Sequence, residues 1–162
     1  MSVLSGQTIQ NMAIITPCFP RSSFHHPDPR VNTMTYGVGP AGYDLTLDWG
    51  ASGWSDQMWT LEPDEFRLAA TVERFTMPSN VTGMVYDKSS WARRGLSMFN
   101  TVIEPGWYGY LTLELKNMGH ERLFLPQGVP IAQVVFTFLD EPAAQPYSGK
   151  YQNQMPGPQS AR

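Results

Sequence analysis

Between Tyr43 and Asp48 the apolar residues Tyr43, Leu45 and Leu47 alternate with Asp44, Thr46 and Asp48, and the run closes at Gly50. That two-residue period predicts a half-buried strand ended by a turn. The same reading predicts strands over 66–75, 82–86, 110–115, 122–125 and 131–139. Asn117-Met118-Gly119-His120 and Pro126-Gln127-Gly128 punctuate the last three. Helical period is scarce, but Ser5 is suited to cap a short amino-terminal helix, because its hydroxyl satisfies free amides of a first turn. Residues 21–32 hold His25, His26, Pro27 and Pro29 without a period, so an irregular surface loop is expected there. Residues 51–61 carry Trp54, Met58 and Trp59 among polar neighbours and read as a loop packed on the domain or as a subunit contact. Many short strands at this spacing predict a mostly β sandwich or barrel with one or two short helices. Beyond Asp140 the pattern fades into a proline-rich stretch to Arg162 that, by itself, would not order.

Composition narrows this picture. The 162 residues suit one domain with a substantial core. Only 15% of them are charged, and 14 Gly and 14 Pro fit a turn-rich β protein. Eleven basic against 14 acidic residues leave no electrostatic footprint for duplex nucleic acid. A free nucleotide needs only a local cluster of positive charge. No apolar run approaches the roughly 18 residues of a membrane span, and residues 1–10 lack the pattern of a signal peptide. The expectation is a soluble, intracellular protein with no nucleic-acid or membrane partner. Cys18 is the one cysteine, so no intrachain disulfide is possible.

The candidate chemistry lies between Asp87 and Asn117. Lys88-Ser89-Ser90-Trp91-Ala92-Arg93 offers hydroxyls and fixed positive charge, which suit phosphate oxygens. Val102-Ile103-Glu104-Pro105-Gly106-Trp107-Tyr108-Gly109 presents an acid, a turn and an aromatic plane, which suit a sugar and a base. In the strand that follows, Leu111, Leu113 and Leu115 take one face and Tyr110, Thr112, Glu114 and Lys116 the other. Glu114 therefore points away from the leucines; pattern alone also allows an ordinary solvated glutamate. Trp107 reads equally as a core tryptophan, Ser89 as a helix cap, and Lys150 and Gln154 as part of a solvated tail. Zinc finds no ligand set: Cys18 stands alone, His25 and His26 are adjacent, and His120 sits in a turn.

These segments resemble the dCTP deaminase family and, more distantly, the trimeric dUTPases that share its fold. Val3-Leu4-Ser5-Gly6-Gln7-Thr8-Ile9, residues 39–47, Gln145-Pro146-Tyr147 and Lys150-Tyr151-Gln152-Asn153-Gln154 extend the resemblance over most of the chain; residues 18–34 and 48–62 are unmatched. The resemblance implies a distorted β-barrel or jelly roll of the dUTPase-like type over 1–140, with a tail, 141–162, that closes over the nucleotide. It implies a hydrolase of pyrimidine deoxynucleotide supply that deaminates dCTP to dUTP and ammonia without zinc, with Mg2+ held by the triphosphate. The implied assembly is a homotrimer with sites between subunits, located in the cytoplasm, or in a host's cytoplasm for a viral protein. A bifunctional enzyme or a dUTP diphosphatase yielding dUMP is the alternative.

Residue by residue, the resemblance makes Glu114 the general base, with Ser89 and Arg93 positioning the water. One carboxylate is able to shuttle the protons of the attack at C4 if burial brings its pKa near working pH. Lys88, Ser89, Ser90, Lys150 and Gln154 are implied for phosphate. Asn100, Thr101, Val102, Glu104, Trp107 and Tyr147 are implied for sugar and base. Departures from the family pattern are Lys88, where arginine is usual, Glu104, where aspartate is usual, and Asn100 and Thr101, where small residues are usual. Loss of the planar guanidinium at 88 weakens the phosphate contact expected there.

Overall fold

The computed structural model describes residues 2–50 and 58–161. Ser5 caps the first helix, α1 (Gly6–Met12), by accepting the Thr8 N–H at 3.3 Å. Strands β1 (Ile15–Thr16), β2 (Ser22–Phe24), β3 (Met34–Gly39) and β4 (Gly42–Asp48) follow. Next come β5 (Met58–Leu61), β6 (Phe66–Thr76), β7 (Val81–Asp87) and the one-turn helix α2 (Ser89–Ala92). The chain then forms β8 (Leu96–Met98), β9 (Val102–Ile103), β10 (Tyr108–Asn117), β11 (Leu123–Pro126) and β12 (Pro130–Phe138). The six strands predicted from the period coincide with β4, β6, β7, β10, β11 and β12. The mostly β class is as expected. β1, β2, β8 and β9 carry too few residues to show a period, and β3 and β5 were not predicted. Residues 22–24 pair with β3 rather than forming an irregular loop, and 58–61 form β5; Trp54 lies outside the described residues.

One curled sheet runs in the order β8-β10-β6-β4-β12-β7-β9, with β1 on β6 and β3 on β4, while β11 and β5 form a separate ribbon. Its inner face buries Tyr43, Leu45, Leu47, Phe75, Leu113, Leu115 and Phe136, all fully inaccessible. Each such side chain contributes on the order of 1.5–3 kcal/mol against exposure.

β4 is buried on both faces, contrary to the half-buried expectation, because its polar side chains have partners inside the fold. Asp44 pairs with Lys88 Nζ at 2.7 Å. Thr46 donates its N–H (3.1 Å) and its hydroxyl (2.7 Å) to Glu73, which also accepts from the Tyr43 hydroxyl at 3.3 Å. Glu73 thereby closes the gap where β4 parts from β6, beyond the Leu47–Thr71 pairing. Among the described residues no cation accompanies this carboxyl in its hydrogen bonds, and burial pushes its pKa up to about 7.

Candidate functional site

The site begins with a turn. Trp107 N–H donates to Glu104 O at 3.1 Å, with Pro105 and Gly106 at its centre and Gly106 at φ 83°, as a type II turn requires. The Trp107 ring is buried against Phe75, with centroids 6.0 Å apart, and its Nε1 donates to Tyr151 O at 2.7 Å. It is a core residue and a pocket wall at once. The indole also fastens the tail.

The tail lies against this turn and the start of β10. It buries little by itself and instead takes up hydrogen-bonding groups that the turn and β10 leave open. Tyr147 N–H donates to Pro105 O and Asn153 N–H to Tyr108 O, both at 2.8 Å, and Tyr110 N–H donates to Gln154 O at 3.0 Å. Gln152 accepts from Tyr108 N–H and donates to Gly106 O. A Cβ on Gly109 would lie 2.5 Å from Gln154 N, so glycine is what permits this approach.

β10 carries the acid. Its register with β6 shifts between Tyr110 and Thr112, and Leu111 N–H donates to the Thr71 hydroxyl at 3.0 Å instead of to a strand carbonyl. This bulge turns Leu111 out of the leucine row predicted for it and into the wall of a pocket, while Leu113 and Leu115 stay in the core. Glu114 is half-buried opposite Leu68 of β6. Among the described residues its carboxylate has neither hydrogen bond nor ion pair, and burial raises its pKa above the ordinary carboxylate range.

The pocket holds about 520 Å³. It brings together Asn100, Thr101, Val102, Glu104, Trp107, Glu114, Tyr147 and Gln154 of the residues predicted from sequence. Phe66, Leu68, Leu111, Tyr151 and Gln159 also line it and were not predicted. Of these, Tyr151 belongs to a tail segment that sequence singled out, and the others carry no chemical signal of their own.

Lys88, Ser89, Ser90, Arg93 and Lys150 do not line this pocket. Trp91, buried with Nε1 donating to Pro130 O at 2.7 Å, pins α2 to the start of β12. Ser89 is the first helical residue rather than the cap, a position held by Lys88. Ser89 and Arg93 are exposed and Ser90 is half-buried. The Lys88 charge is committed to buried Asp44. Lys150 stands over the Tyr151 ring at 4.9 Å. Among the described residues no three of His, Cys, Asp and Glu converge as a metal site, and no helix is long and apolar enough to cross a membrane.

A family model described as dCTP deaminase-like matches residues 49–139. A dCTP deaminase of Pyrococcus horikoshii is 38% identical over 120 residues, 70% of this chain and 77% of its own length. The dUMP-forming dCTP deaminase of Corynebacterium efficiens is 34% identical over 145 residues, 84% of this chain and 68% of its own. Among solved structures, the 2'-deoxycytidine 5'-triphosphate deaminase of Agrobacterium tumefaciens has a TM-score of 0.61 at 17% identity, covering 85% of this chain and 49% of that one. The EIAV dUTPase has a TM-score of 0.53 at 24% identity, covering 68% and 85%. The dUTPases thus enter as structural neighbours, a likeness of fold. The expectation that named dUTP diphosphatase as the alternative enzyme is overturned on this finding, since the sequence relatives carry the name dCTP deaminase.

Proposed function

The chain belongs to the dCTP deaminase-like family, and from that premise we propose that it removes the exocyclic amine of dCTP, with Glu114 as the general base that activates water. The observation that carries this reading is the Glu114 carboxylate, which lines the pocket without a partner among the described residues and has its pKa raised by burial. A base of raised pKa takes a proton from water more readily and returns it to N3 and the departing nitrogen. The atoms balance as dCTP plus water to dUTP plus ammonia.

Trp107 stands beneath the deoxyribose in this reading, Glu104 meets its 3'-hydroxyl, Thr101, Val102 and Tyr147 enclose the nucleoside, and Gln154 turns to the phosphates. Ser89 and Arg93 lie outside the pocket of their own chain, exposed at the start of α2 and at its carboxyl-terminal cap. A homotrimer with sites between subunits would let a neighbouring copy supply their hydroxyl and guanidinium, together with Ser90 near the phosphates. Mg2+ travels with the triphosphate as part of the substrate.

A second reading, in which the product is carried on to dUMP, draws on the Corynebacterium efficiens relative, a dUMP-forming dCTP deaminase. Incubation with dCTP, with ammonia, dUTP and dUMP resolved over time, tests both. Ammonia with dUTP supports the first, and ammonia with dUMP and no accumulating dUTP supports the second. No ammonia from dCTP refutes both.

A further inference from the structure

The backbone ladder on the outer edge of β10 stops at Glu114. β8 pairs with β10 through Met98 and Leu115, and Phe99 N–H still reaches Glu114 O at 2.9 Å. The chain then leaves for β9, which pairs with β7 at the other end of the strand order. Thr112 C=O and Glu114 N–H are left facing no strand, and groups of this kind are costly to leave unpaired where water is excluded.

The Asn100 side chain takes both. Its Nδ2 donates to Thr112 O at 2.8 Å and its Oδ1 accepts from Glu114 N–H at 3.0 Å. A carboxamide has the donor and acceptor arrangement of a peptide group, so Asn100 extends the ladder by one rung with a side chain. The rung spans the two peptide units on either side of Leu113 and so sets the backbone from which the Glu114 side chain projects. On the opposite edge, the Thr71 hydroxyl does the corresponding work for Leu111 N–H. The stretch carrying the acid is therefore held from both sides by side chains.

We infer that Asn100 is a positioning residue for Glu114 rather than a contact to the base. This role rests on the proposed deamination and deepens it. Serine is too short to span both groups, glutamine adds a methylene, and aspartate keeps the acceptor while losing the donor.

The test measures kcat and KM for dCTP in the full-length wild type, Asn100→Ala and Asn100→Asp, alongside hydrogen exchange of the Glu114 amide. Displacement of a catalytic group by about 1 Å costs on the order of a hundredfold. Asn100→Ala is therefore expected to lose roughly ten- to hundredfold in kcat, with KM within about threefold of wild type. Its Glu114 amide should exchange faster. Asn100→Asp should keep that amide protected and recover part of the kcat, which also covers the case in which the alanine variant does not fold. A raised KM at unchanged kcat in either variant would mark Asn100 as a substrate contact and overturn the inference. So would wild-type kcat, KM and exchange in Asn100→Ala. Failure of the wild type itself to release ammonia from dCTP would refute the deaminase reading and remove the catalytic part of this role, while amide exchange would still report whether the rung exists.

Discussion

Glu73→Gln removes the buried carboxyl that bridges β6 and β4, and its effect has a sign and a size. In the folded protein burial holds the Glu73 pKa at about 7, against an ordinary value of 4.5. The folded state therefore binds more protons than the unfolded state between those two values, so unfolding free energy falls as pH rises through that window. The stabilisation is complete below about pH 4.5 and lost by the time pH passes 7. The difference corresponds to about 3 kcal/mol, at 1.36 kcal/mol per unit. Glutamine keeps the shape and one acceptor for Thr46, and it does not titrate. Urea unfolding followed by tryptophan fluorescence at pH 5 and pH 8 gives the measurement, since the chain has five tryptophans. Wild type should lose about 2.5 kcal/mol more than Glu73→Gln between the two pH values, because part of the effect is already gone at pH 5. Groups common to both proteins cancel in that comparison. Parallel pH profiles for the two proteins would refute the assignment of a protonated, buried Glu73.

Four further outcomes are expected. Glu114→Gln keeps shape but cannot accept a proton, so kcat for dCTP should fall roughly a hundredfold to ten-thousandfold with nucleotide affinity nearly kept; near-normal turnover would refute the general base. In wild type, the acid limb of the kcat profile should lie above the ordinary carboxylate range, because the base must be ionised and burial raises its pKa. Lys88→Met leaves Asp44 buried without its cation and should cost about 3–5 kcal/mol in urea unfolding; a loss of dCTP affinity with stability intact would instead make Lys88 a phosphate ligand. Deleting 145–162 removes Tyr147, Gln154 and the partner of the Trp107 indole, so activity should be lost while the barrel still unfolds cooperatively. Full turnover in that truncated form, or a monomer by light scattering of the active wild type, would refute the account of the tail or of sites shared between subunits.

Local pattern sufficed for much of this molecule. Six strands were legible from their two-residue period, and the Ser5 cap and the Pro105-Gly106 turn because their chemistry is decided within four residues. The face on which Glu114 stands also followed from alternation, and the resemblance pointed to the residues that meet in the pocket. Other features depend on partners distant in sequence. Asp44, 44 residues before Lys88, decides that this lysine is buried in an ion pair. Thr71, 40 residues before Leu111, holds the bulge that turns a leucine out of the core row. The tail has too little apolar surface to fold alone and is ordered by backbone groups and an indole supplied by residues 105–110. Asn100 reads in sequence as a polar residue near a motif; it becomes a rung of the sheet only because β8 departs from β10 at that point. Periodicity reports which way a side chain faces, whereas a hydrogen bond or an ion pair requires a partner brought to within about 3 Å, and only the folded chain determines that.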